Sequence, residues 1–316
     1  MKLVSAFLKL IRWPNILFIV LTQFLFFYAI IEPKLKSPVD SFFGLNYLIW
    51  LVIASVLIAA AGYIINDYFD LNIDSINKPG RLVIDKMIKR RWAILLHMLL
   101  SGIGVLISFY ISFKFHYWWL GFANLLCCFL LFGYSITLKR KLLIGNILIS
   151  GLTAWVIMVV YFCYIGSFTS GSFITALHFP PFSNSLTRIA FLYAGFAFII
   201  SLIREVIKDM EDMEGDARFG CKTMPIVWGI PASKVFVAVW IIVLIAVLGI
   251  VQYYVLQFGW WWSAVYCLLL VIAPLLWILY QLHKAQVPKD YRRLSAAVKL
   301  VMFTGILSML FFKIYS

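Results

Sequence analysis

Three aspartates, Asp67, Asp70 and Asp74, stand at the end of a long apolar run, in NDYFDLNIDSINKPGR over residues 66–81. A second triplet, Asp209, Asp212 and Asp216, stands in REVIKDMEDMEGD over residues 204–216. Both have the spacing i, i+3, i+7. On a helix that spacing puts the three residues on an arc of about 60° along roughly 10 Å of axis. Asn66 widens the first arc to about 100°, Lys208 does the same for the second, and Glu205 falls inside the second. Nine of the 13 acidic residues lie in 67–74 and 205–216, so the carboxylates are concentrated rather than scattered. Like charges three or four apart on a helix repel by a few tenths of a kcal/mol per pair, and the helix dipole disfavours them near a C-terminus. A solvated loop has no reason to repeat that cost at one spacing; a bound cation removes it. Carboxylate oxygens suit Mg²⁺, which takes one or two of them, keeps water, and shares its other positions with substrate phosphates. Neither motif contains His or Cys, which argues against zinc. Two such clusters with basic residues nearby are the arrangement for gripping a diphosphate through metal ions and neutralising a leaving group. Lys139 and Arg140 in YSITLKRK, with Arg204, Lys208, Arg81 and Lys222, are the candidate diphosphate-binding residues. Lys139 and Lys208 are the foremost of these.

The rest of the chain has to hold these groups at the edge of a lipid phase. Of 316 residues, 64% are hydrophobic and 13% charged, against about 25% charged in soluble domains. The composition is that of a membrane protein. The net charge of +14 matches basic connecting loops, and no soluble basic domain is left for nucleic acid. The five cysteines form no CxxC pair and four lie in apolar segments, so they read as small buried hydrophobes. Nine apolar stretches are long enough to cross a bilayer as helices: roughly 14–31, 46–65, 92–113, 117–136, 143–165, 186–207, 234–256, 260–282 and 294–313. A cytoplasmic N-terminus puts all but five of the 27 Lys and Arg residues on the inner side, which predicts an inside N-terminus and an outside C-terminus. Two long connections on that inner side, 66–91 and 208–233, carry the carboxylates.

At these residues the chain resembles the UbiA superfamily of intramembrane prenyltransferases. The family motifs read NDxxDxxxD and DxxDxxxD, each after an even-numbered span; here they are NDYFDLNID and DMEDMEGD. The nine spans and two long loops match as well, so the resemblance covers nearly the whole chain. It implies an all-α, polytopic membrane protein: one domain over 1–316, with nine transmembrane helices around a central lipid-accessible cavity. It implies Mg²⁺ held by Asn66, Asp67, Asp70, Asp74, Asp209, Asp212 and Asp216, with Asp70, Asp74, Asp212 and Asp216 catalytic. A polyprenyl diphosphate would ionise there, and a lipophilic acceptor would attack the allylic cation, at a site facing the cytoplasm of the cell membrane. RWPN (Arg12 to Asn15) and the two motifs look most like the digeranylgeranylglyceryl phosphate synthase-type branch. Its donor is geranylgeranyl diphosphate and its acceptor a geranylgeranylglycerol phosphate-type hydroxyl. Arg12, Asn15 and Tyr134 are the acceptor-side candidates. The alternative within the family is an aromatic acceptor, as in menaquinone or ubiquinone biosynthesis. The alternative from another class is a cation transporter, but transporters place ionisable groups near mid-membrane on broken helices, and these aspartates lie beyond the apolar runs.

Overall fold

In lipid a backbone has to satisfy its own N–H and C=O groups, so long apolar segments become helices. The computed structural model describes residues 2–34, 44–77, 83–115, 118–166 and 185–315. Among these, nine helices are long and apolar enough to cross a membrane: Trp13–Ile31, Leu45–Phe69, Arg90–Lys114, Trp119–Ile136, Ile144–Ile165, Ser185–Arg218, Gly229–Leu256, Trp261–Lys284 and Pro288–Ile314. Each matches one of the nine stretches expected from hydropathy. The largest difference is at the sixth, which runs on as helix through the second carboxylate motif, where a connecting loop was expected.

The helices are α1 (Lys2–Leu10), α2 (Trp13–Leu25), α3 (Leu45–Phe69), α4 (Leu71–Asn77), α5 (Arg90–Phe115), α6 (Trp118–Ile136), α7 (Ile144–Gly166) and α8 (Ser185–Arg218). They continue with α9 (Met224–Val227), α10 (Gly229–Leu256), α11 (Trp261–Cys267), α12 (Ala273–Lys284), α13 (Pro288–Leu307) and α14 (Leu310–Ile314). A π-helical turn, Phe26–Ile31, extends α2, and another, Leu268–Ile272, joins α11 to α12. The only extended pairing among the described residues is a single bridge between Ile84 and Ile88. The chain forms two compact units. The first holds Met1–Phe27, Ile31–Leu138 and Trp155–Leu192; the second holds Tyr28–Ile30, Lys139–Ala154 and Tyr193–Ser316.

In the first unit α3 packs against α2, α5 and α6. Lipid tails are as apolar as leucine, so close approach of small residues and interhelical hydrogen bonds hold such helices together. Gly104 on α5 shows why: a Cβ there would stand 2.9 Å from Ile58 and 3.2 Å from the Ala54 carbonyl oxygen of α3. Between α5 and α6, Asn124 Nδ2 donates to Ser108 Oγ at 2.7 Å. At one end of the unit, Ala6, Leu10, Ile64, Val83, Ile84, Ile88 and Ala93 form a small apolar core. This core fastens α1 and the 83–93 segment to the last turns of α3, immediately beside the first carboxylates.

In the second unit Ile203, Val206, Ile207 and Met210 of α8 pack into a core with Val237, Ile241, Leu275, Ile278, Tyr291, Leu294 and Val298. These α8 positions recur three and four apart, so they form one stripe. That stripe carries the helix past its lipid-spanning part, and it leaves Asp209, Asp212 and Asp216 on another side of the same helix. Leu106 and Ile250, 69% and 70% exposed, mark faces that lipid rather than protein covers.

Candidate functional site

The first carboxylate segment spans a junction between two helices. Helix α3 ends at Phe69 and Asp70 caps it at φ −90°, ψ 0°, a sparsely populated region in which active-site residues are often found. Helix α4 then begins at Leu71. The Asp70 N–H donates to the Asn66 carbonyl at 3.0 Å, and the Asp74 N–H to the Asp70 carbonyl at 2.8 Å. The helix expected to carry Asn66, Asp67, Asp70 and Asp74 is therefore interrupted at one residue, Asp70, while the Asn66–Asp70 side-chain contact keeps those two on one face. Asn66 and Asp67 stand on the last turn of α3, Asp70 at the junction, and Asp74 on α4. Local composition favours the interruption, because Asn and Asp are weak helix formers. Here Asn66 Nδ2 donates to Asp70 Oδ2 at 2.8 Å across the break.

Two further features surround this junction. Asn66 Oδ1 is buried, with no hydrogen-bond partner among the described residues. Arg12, in the left-handed conformation (φ 52°, ψ 55°) between α1 and α2, reaches Asp67 Oδ1 at 2.7 Å and lies 5.1 Å from the centre of the Tyr63 ring. An acceptor-side candidate is thus brought onto the first carboxylate segment, and Asp67 meets any ligand with one oxygen committed to a guanidinium. Asn15 follows on the first turn of α2, its N–H bonded to the Arg12 carbonyl at 2.8 Å. Tyr134 is half-buried near the end of α6. Arg81 lies outside the described residues.

The second segment keeps its helical face, because Asp209, Asp212 and Asp216 share α8, an unbroken helix of 34 residues. All three are half-buried. The glutamates interspersed with them are held in ion pairs: Glu205 with Arg204 at 2.9 Å and Lys208 at 3.5 Å, Glu211 with Arg292 at 2.8 Å, and Glu214 with Arg218 at 2.8 Å. Lys208 and Arg204 therefore stand where they were expected, beside the acidic motif, oriented by Glu205. Asp209 Oδ2 accepts a hydrogen bond from Asn146 Nδ2 of α7 at 2.8 Å. Gly220, at φ 70°, ends the helix in the left-handed turn that glycine adopts without strain. The turn brings the Cys221 N–H back to the Asp216 carbonyl at 3.0 Å. The Lys222 N–H then donates to the Arg140 carbonyl at 2.8 Å. Two basic candidates far apart in sequence, Arg140 and Lys222, are joined in this way, with Lys139 on the same short turn Leu138–Arg140.

Sequence reasoning missed Asn146 and Arg292. The signal for Asn146 was a lone amide inside the apolar run LLIGNILIS; for Arg292 there was none, since its partner lies 81 positions away.

Among the described residues no three His, Cys, Asp or Glu side chains form a metal-holding group by themselves. Magnesium does not need one, since it binds through one or two carboxylates and completes its octahedron with water and phosphate oxygens. The donors present are all oxygens, and the unpartnered Asn66 Oδ1 adds a buried acceptor whose isolation is costly without a ligand. The residues fit magnesium.

Residues 35–307 match the UbiA prenyltransferase family. The chain belongs to this family. A relative from Thermococcus sibiricus named digeranylgeranylglyceryl phosphate synthase is 31% identical to this UbiA chain over 266 residues, 84% of each protein. A UbiA homologue from Aeropyrum pernix has the same fold, with a TM-score of 0.66 over 92% of this chain and 96% of that one at 17% identity. Another from Archaeoglobus fulgidus, whose structure is bound to DMAPP and Mg²⁺, gives 0.54 over 96% and 98% at 15% identity. As a UbiA family member with nine apolar helices among its described residues, the chain is an integral membrane prenyltransferase.

Proposed function

We propose that this chain transfers a prenyl group, geranylgeranyl in the simplest case, from its diphosphate to the hydroxyl of a geranylgeranylglycerol phosphate-type lipid. The carrying observation is the 31% identity, across 84% of both chains, to a digeranylgeranylglyceryl phosphate synthase.

In this reading Asn66, Asp67, Asp70 and Asp74 hold Mg²⁺ in the first segment, and Asp209, Asp212 and Asp216 hold it in the second. When bound, the metal supplies Lewis-acid neutralisation of diphosphate oxygens. The chain's own part is to position and to balance charge. Asp70, Asp74, Asp212 and Asp216 provide ligand oxygens from half-buried positions. Lys139, Arg140, Arg204, Lys208, Lys222 and Arg81 offer N–H donors to the departing diphosphate, where stabilisation of developing charge lowers the barrier most. The allylic C1–O bond breaks and the diphosphate leaves with the electron pair. The acceptor oxygen forms the new C–O bond and releases its proton, which leaves an ether. Arg12, Asn15 and Tyr134 are assigned to the acceptor side. The excess of Lys and Arg in alternate connections supports a cytoplasmic N-terminus, an outside C-terminus and a cytoplasmic site. A family match that runs unbroken from 35 to 307, through both compact units, supports one domain over 1–316.

The test is direct. Purified protein with Mg²⁺, labelled geranylgeranyl diphosphate and geranylgeranylglycerol phosphate should yield the doubly alkylated ether lipid, and EDTA should abolish the product. Transfer to an aromatic acid alone would replace the ether-lipid reading with the quinone one. Transfer to neither acceptor would overturn both.

A further inference from the structure

The two carboxylate motifs share their aspartate spacing but not the residue before it: the first opens with Asn66, and the second has Lys208 there. In the first segment Asn66 Nδ2 donates to Asp70 Oδ2 at 2.8 Å, from one turn away on the same stretch of chain. The second segment has no such residue of its own, yet Asp209 Oδ2 receives an equivalent amide hydrogen bond, also 2.8 Å, from Asn146 on α7, 63 positions earlier. The ordinal differs, second aspartate in one motif and first in the other, but the chemistry is the same. A primary amide directs one N–H at one carboxylate oxygen.

Asn146 is 7% exposed in an apolar helix, where an amide is costly unless it is hydrogen-bonded. Its backbone carbonyl accepts from Ser150 Oγ at 2.7 Å, a bond within α7. About two turns further along the same two helices, Thr153 Oγ1 meets Ser201 Oγ at 3.3 Å. Helix α7 is therefore in register with α8, and the amide reaches Asp209 from a fixed base.

We propose that Asn146 is a positioning residue of the second carboxylate segment: its amide fixes the Asp209 carboxylate in the orientation that receives a divalent cation. Helix α7 thereby supplies in space what Asn66 supplies in sequence to the first segment. This rests on the reading that the second segment binds Mg²⁺, and the experiment separates the two claims.

Mn²⁺ binding to the detergent-purified protein, followed by electron paramagnetic resonance without substrate, is the primary readout, with thermal midpoint and a kcat against KM analysis beside it. Loss of an outer hydrogen-bond partner weakens metal affinity by about tenfold to a hundredfold, and that is the expected loss in Asn146→Leu. Asn146→Ser, too short to reach Asp209, should show the same loss and serves if the leucine variant does not fold. The exchanged pair Asn146→Asp with Asp209→Asn restores the interhelical hydrogen bond but moves the charge. It should recover the thermal midpoint and not the Mn²⁺ affinity. Wild-type Mn²⁺ affinity in the single variants would overturn the proposal, and so would an affinity loss that the exchanged pair's packing control traces wholly to a lowered thermal midpoint. Asp212→Ala is the control: if it too binds Mn²⁺ normally, the metal reading of the segment fails. If Asp212→Ala loses Mn²⁺ and the Asn146 variants keep it, only the role of Asn146 fails.

Discussion

Replacing Asn66 by leucine separates a site residue from a packing residue. The side chains share the same branched shape and leucine is the larger, so no cavity is created. Two energies then oppose each other. The hydrogen bond from Nδ2 to Asp70 Oδ2 at 2.8 Å is lost, and a bond to a charged group is worth about 1.5–3 kcal/mol; Asp70 is half-buried, so the low end applies. The buried Oδ1, which has no partner among the described residues, is removed, relieving about 1–3 kcal/mol. The net change in stability without metal should stay within about 1.5 kcal/mol, while activity falls by about tenfold to a hundredfold and the Mg²⁺ requirement rises. Asn66→Asp makes the complementary case. It keeps an oxygen but sets a like charge 2.8 Å from Asp70 Oδ2, a repulsion of at most about 6 kcal/mol at an effective dielectric of about 20, which side-chain rotation reduces. That variant should be destabilised without metal and recover on adding Mg²⁺. Thermal unfolding in detergent, with and without Mg²⁺, and prenyl transfer against Mg²⁺ concentration are the assays. The reasoning is refuted if Asn66→Leu keeps wild-type turnover and Mg²⁺ dependence, or if it loses more than about 3 kcal/mol of stability.

The other predictions concern single contacts. Asp70→Ala and Asp212→Ala should each lower turnover by at least about a hundredfold with little change in thermal midpoint; wild-type rates in either would remove that residue from the site. Arg12→Gln should speed hydrogen exchange in α1 while changing global stability by less than about 1 kcal/mol, because the Arg12–Asp67 pair is partly exposed; unchanged exchange would show that the apolar core alone fastens α1. Arg292→Met should destabilise more than Glu211→Gln, by about 1–2 kcal/mol, since it strands a carboxylate that is 7% exposed while its own side chain is half in solvent; chemical denaturation of both variants decides it. Gly305→Ala would place a Cβ 2.6 Å from Phe196 and should cost about 1–3 kcal/mol through forced repacking, read as a lower thermal midpoint.

The nine spans were legible because hydropathy is a local property: each depends only on some twenty consecutive residues, and lipid leaves such a segment no alternative to a helix. The aspartate face at 209, 212 and 216 was legible for the same reason, since spacing on an unbroken helix is geometry that needs no neighbour. The sequence alone also offered the oxygen donors proposed for the metal. Tertiary structure decided how those donors are held. It interrupted the helix of the first motif at Asp70. It committed Asp67 to Arg12 across 55 positions and Asp209 to Asn146 across 63. Local pattern can mark Arg12 or a lone Asn146, but it cannot name the carboxylate that either one meets. Helix packing brings them within 3 Å, and at that distance an amide or guanidinium sets the direction in which a carboxylate points.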